Sequence, residues 1–72
     1  MTDDDRTLLA EIVRLNESRV STHARIVDRN TVLQGKGTIS TTELDESTIA
    51  LIDARIALAK ARRKLAKKEA GK

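Results

Sequence analysis

Apolar residues recur at spacings of three and four through the first half of the chain, with no proline or glycine before Gly35. That period is the mark of an amphipathic helix. Projected at about 100° per residue, the side chains fall into two neighbouring stripes. One holds Leu9, Val13, Val20, Ala24 and Val27; the other holds Leu8, Ile12, Leu15, Ile26 and Leu33. The second half repeats the arrangement, with Leu44, Leu51, Leu58 and Leu65 seven apart on one side and Ile49, Ile52, Ile56 and Ala59 on another. Leucines at that interval first suggest a parallel zipper, but Ser47, Ala54 and Ala61 alternate with them where a zipper takes larger, branched residues. Small residues let a neighbouring helix approach closely. The leucine seam is therefore expected to close an antiparallel hairpin against Leu9, Val13, Val20 and Val27.

Local signals set the boundaries. Thr2 with Asp5 forms a capping-box-like start, and three aspartates suit the positive end of a helix dipole, so a first helix is expected over about residues 3–33. Gly35 stands where such a helix would place its C′ residue. The weak stretch is Asn16 to His23, rich in residues that compete for backbone hydrogen bonds; Ser18 or Ser21 could cap a fresh start there. Residues 34–40 read as a turn. Gly35-Lys36-Gly37 lacks the spacing and the preceding strand of a phosphate-binding loop. Ser40 and Glu43 make a second capping box, and the alanine-rich segment that follows is expected to be helical over about residues 41–69, with Gly71 at its frayed end. The fold expected for residues 1–72 is all-α: one coiled-coil-like hairpin of two matched helices, each about 45 Å long.

Such a hairpin buries one stripe per helix. The second stripe, Leu8, Ile12, Leu15, Ile26 and Leu33 with Ile49, Ile52 and Ile56, remains as an exposed apolar strip, which soluble monomers avoid. Self-association follows as an expectation, most simply two hairpins forming a four-helix bundle. Asn16, His23 and Asn30 lie between the stripes of the first helix, and Arg19 interrupts the second stripe. They are expected to form polar layers that fix register and partner number, or to sit at a groove edge. A sharper reading makes His23 a pH-sensitive element of the interface. Arg55 and Arg62 hold the matching position on the second helix, where Asn or Glu could pair with them.

Composition narrows the classes of function. A chain of 72 residues leaves little interior, and with no cysteine and one histidine it has neither a disulfide framework nor a histidine cluster to staple it. No cofactor or metal is expected, and no small-molecule ligand. The absence of Phe, Trp and Tyr argues against base stacking, an aromatic cage and interfacial membrane anchoring. No apolar run approaches a membrane span, and the acidic start is the reverse of a signal peptide, so a cytoplasmic-type protein of bacterial or viral kind is expected, in the host cytoplasm or the virion if viral.

Charge is polarised along the chain. Residues 60–72 carry seven basic side chains against Glu69, whereas residues 38–59 carry Glu43, Asp45, Glu46 and Asp53 against Arg55. Antiparallel pairing lays the basic segment beside Asp3, Asp4 and Asp5, which would neutralise it in part. Lys60, Arg63, Lys64 and Lys67 follow helical spacing on one face, and such a face could track phosphates without reading bases.

Leu9-Ala10-Glu11-Ile12-Val13-Arg14-Leu15 resembles the opening helix of the all-α chorismate mutases, a family whose sites use arginines reaching into a helical bundle. That domain is longer, and a third helix supplies site residues. No nucleophile with an adjacent base and no metal-ligand spacing is visible here, so catalysis is not expected. Two readings stand. One is a non-enzymatic interaction or assembly module, an adaptor, scaffold or small virion-type component, that docks its apolar stripes on itself, most simply as a dimer, and on a larger protein. The alternative is a small basic accessory protein that contacts nucleic-acid phosphates through its C-terminal helix.

Overall fold

The computed structural model describes residues 3–70, and of Asp3 the backbone alone. The chain is an all-α hairpin of two helices, α1 (Asp3–Gly35) and α2 (Thr41–Ala70), packed against each other along their length. Its principal extents are 53 × 13 × 11 Å. At a rise of about 1.5 Å per residue, the 33 residues of α1 span about 50 Å, so the rod is one helix long and two helices wide.

Helix α1 runs unbroken through Asn16–His23. The polar side chains there do not cap a new helix. Asn16 Nδ2 donates to the Ile12 carbonyl one turn back at 2.8 Å, and further along Thr31 Oγ1 donates to the Val27 carbonyl at 2.8 Å. Back-bonding satisfies the side chain without diverting the helix's own ladder, and packing against α2 outweighs the weak local propensity. The expected cap at Thr2 lies outside the described residues, as does Gly71.

The end of α1 differs from the sequence expectation. Gly35 remains helical, and Gly37 takes the C′ position with φ +75°. Thr38 N donates to the Leu33 carbonyl at 2.8 Å and Gly37 N to the Gln34 carbonyl at 2.9 Å. Those two bonds are the Schellman pattern, and they require the left-handed conformation that glycine adopts without steric cost. The start of α2 follows the sequence signal closely. Glu43 N donates to Ser40 Oγ at 3.1 Å, Ser40 N donates to Glu43 Oε1 at 3.4 Å, and Leu44 N donates to the Ser40 carbonyl at 3.2 Å. Ser40 is thus the N-cap of a closed capping box. Gln34 Nε2 donates to Thr41 Oγ1 at 3.3 Å, tying the two sides of the turn.

The core is narrow and one-sided. Leu51, Ala54, Leu58 and Ala61 are buried, all on α2, and Ala54 is fully so. Leu44, Ser47 and Leu65 extend the same row as half-buried positions. On α1 the opposing row of Leu9, Val13, Asn16, Val20, His23, Ala24, Val27 and Asn30 is half-buried throughout. A helix with a single neighbour covers one side of that neighbour and no more, and a small residue at every second seam position, Ser47, Ala54 and Ala61, lets the backbones approach while adding little apolar area.

Candidate interaction surface

The exposed apolar residues of the hairpin form rows. On α1, Leu8 is 60% exposed, Leu15 54% and Ile12 36%, while Ile26 and Leu33 of the same stripe are half-buried. On α2, Ile49, Ile52 and Ile56 are 57%, 48% and 48% exposed. Val32, also exposed, belongs to neither stripe and is an isolated apolar residue of an ordinary kind.

The two rows lie on different sides of the rod. Ile12 shares a shallow depression with Leu9 and Asn16 of α1 and with Ala57, Lys60, Ala61 and Lys64 of α2, which marks one flank of the hairpin. The other flank carries an ion pair between helices, Arg62 Nη2 to Glu17 Oε2 at 2.9 Å. The isoleucines project about 150° around α2 from its leucine–alanine seam, facing away from α1. The single long strip expected from the sequence is therefore two strips. The α1 strip is rimmed by Lys60 and Lys64 near the open end and by Arg25 and Arg29 nearer the turn.

At the open end, Arg6, Thr7 and Ala10 line a depression together with Leu65 and Glu69, so the start of α1 does lie beside the end of α2. Among the described residues, Asp4 and Asp5 make no ion pair with the basic segment. Lys60, Arg63, Lys64 and Lys67 are all exposed and likewise unpaired among the described residues. Of the arginines matched to the polar positions of α1, Arg62 finds Glu17.

Arg14, part of the segment that resembles the mutase helix, is exposed and pairs with Glu11 on its own helix, with Arg14 Nε donating to Glu11 Oε2 at 3.0 Å. The Arg14 hydrogen bond holds the Glu11 carboxyl below its usual range, and the same bond raises the Arg14 guanidinium. Among the described residues no group of three or more His, Cys, Asp or Glu side chains is placed to hold a metal. No helix of the described residues is long and apolar enough to cross a membrane.

No protein-family model, curated protein or solved structure matches this chain.

Proposed function

We propose that the protein is a non-enzymatic assembly module that docks helix faces, one on a second copy of itself and one on a larger protein, as an adaptor, a scaffold or a small virion-type component. The observation behind this reading is the contrast, among the described residues, between a core of four buried residues and six exposed aliphatic side chains set in two rows, Leu8, Ile12 and Leu15 on one helix and Ile49, Ile52 and Ile56 on the other. Isolated exposed leucines need no explanation, but rows at helical spacing are what a helix-in-groove or bundle partner takes hold of. Sedimentation over a micromolar concentration series tests it. The expected result is a concentration-dependent dimer, and a chain that stays monomeric at high micromolar concentration defeats the self-docking half. Pull-down from the native host with Ile49, Ile52 and Ile56 replaced by serine tests the other half, the expected result being loss of a protein that the unaltered chain retains.

A second reading is supported by the four exposed cations on one face of α2, which are unpaired among the described residues. Lys60, Arg63, Lys64 and Lys67 would neutralise phosphates of a nucleic acid without contacting bases. Its signature is affinity that falls steeply with salt and disappears when the four are replaced by glutamine, a set of changes that spares docking through the apolar rows.

A further inference from the structure

We infer that the outer stripe of α1 is a self-complementary seam that takes the same stripe of a second copy in antiparallel register, with the two-fold axis passing between Val20 and Ser21. The inference rests on the self-docking reading above and specifies its geometry. Asp5, Leu8, Ile12, Leu15, Arg19, Thr22, Ile26, Arg29 and Leu33 of α1 alternate steps of three and four, the spacing of a coiled-coil seam, and Lys36, the first residue of the turn, continues it because its N–H donates to the Val32 carbonyl at 3.1 Å. Eight of them are exposed, with Ile26 and Leu33 half-buried. This seam is separate from the row that α1 turns toward α2.

A two-fold interface must present the same patch to itself, so its two halves have to match when read in opposite directions. This seam does. About the Val20–Ser21 axis, Leu8 meets Leu33 of the second copy, Leu15 meets Ile26, and Arg19 meets Thr22. Ile12 meets Arg29, whose aliphatic stem covers it while the guanidinium reaches solvent. One step further out, Asp5 meets Lys36, so each end of the seam closes on an opposite charge, twice by symmetry. A parallel pairing would instead stack Asp5 on Asp5 and Lys36 on Lys36, whereas the two Arg19, close to the axis, come near each other in either pairing and do not choose between them. In the antiparallel register Asn16 also falls beside His23 of the second copy. Both are half-buried, and the hydrogen bond that Asn16 Nδ2 makes is to its own helix. Two hairpins joined in this way form a four-helix bundle with α1 at its centre and leave Ile49, Ile52 and Ile56 outside it, free for the larger partner.

The chain has no cysteine, so single cysteines report the register cleanly. In the antiparallel seam, Thr22 of the two copies is displaced by about 4–5 Å along the axis, whereas Leu8 of the two copies is about 38 Å apart, both from the rise of about 1.5 Å per residue. Thr22→Cys treated with a short bis-maleimide is expected to trap a covalent dimer, and Leu8→Cys on the same face is expected to stay uncoupled. Asp5→Lys and Lys36→Asp are each expected to raise the dimer Kd about fivefold, and the double swap to restore it. Coupling at both cysteines indicates a parallel pair and overturns the inference. A dimer by sedimentation in which neither cysteine couples overturns this seam while leaving self-docking intact, and a monomer at every concentration overturns both.

Discussion

Glu17 and Arg62 stand 45 residues apart in the sequence and meet across the hairpin, the Arg62 guanidinium donating to the Glu17 carboxylate at 2.9 Å. The contact requires that α1 and α2 run antiparallel in the register set by the Lys36–Ser40 turn. Its energy is small. The side chains are 51% and 58% exposed, and ion pairs in that setting contribute less than about 1 kcal/mol and weaken with salt. A double-mutant cycle of Glu17→Ala and Arg62→Ala, read by urea denaturation, is expected to return a coupling of about 0.5 kcal/mol at low salt that shrinks toward zero in molar salt.

Stability is concentrated in the seam of α2. Ala54 has no exposed surface, and Leu58 is 7% exposed. Leu58→Ala is expected to cost about 2–5 kcal/mol through lost burial and the cavity it leaves. Ala54→Leu adds volume where the two backbones come together, and about 1–3 kcal/mol of destabilisation is expected from forced separation of the helices. Thermal melts followed by circular dichroism distinguish both from Ala59→Leu, an exposed position on α2 where little change is expected.

The two turn glycines are expected to respond in opposite directions. A Cβ would meet nothing within 4 Å at either, so backbone conformation alone decides. Gly37 has φ +75°, and Gly37→Ala is expected to destabilise by about 1 kcal/mol. Gly35 is helical, and Gly35→Ala is expected to stabilise by about 0.4–1 kcal/mol through helix propensity and reduced freedom of the unfolded chain. Paired melts of the two variants check the assignment of the C′ position.

How far the fold could be read from the sequence follows the same division between local and tertiary causes. Ser40 and Glu43 announce the start of α2 because a capping box is a local device, complete within four residues. The end of α1 is ambiguous in sequence because two glycines stand two apart, and either satisfies the local rule until the Thr38-to-Leu33 bond selects Gly37. The continuity of α1 past Asn16–His23 depends on α2 lying alongside, which a pattern along one segment does not contain. Periodicity likewise identifies the isoleucine row as apolar and separate from the seam, yet its orientation away from the α1 row emerges only once the flank of Ile12 and the flank of Glu17 have been fixed on opposite sides of the hairpin.

The Glu11 carboxyl lies below its ordinary value of 4.5 because Arg14 hydrogen-bonds to it. A group whose folded pKa is depressed adds stability above the unfolded value and loses it as pH falls through the folded one. The contribution of this pair is therefore complete above about pH 4.5 and vanishes at lower pH. Carboxyl chemical-shift titration of the folded chain is expected to show Glu11 titrating low, and Arg14→Ala is expected to return it toward 4.5.

Asn16, His23 and Asn30 occupy seam positions of α1 where an apolar side chain would bury more area. Asn16 is satisfied by its own helix through the Ile12 carbonyl, so its replacement strands no partner in the hairpin. Asn16→Leu is accordingly expected to stabilise the fold, by about 1 kcal/mol for a half-buried leucine. If these polar residues fix partner number, as a buried asparagine does in a coiled coil, the same substitution loosens assembly specificity. Native mass measurement is then expected to show a mixture of oligomers for Asn16→Leu against one dominant species for the unaltered chain. A variant that gains stability and keeps a single species would assign Asn16 to solubility at a groove edge.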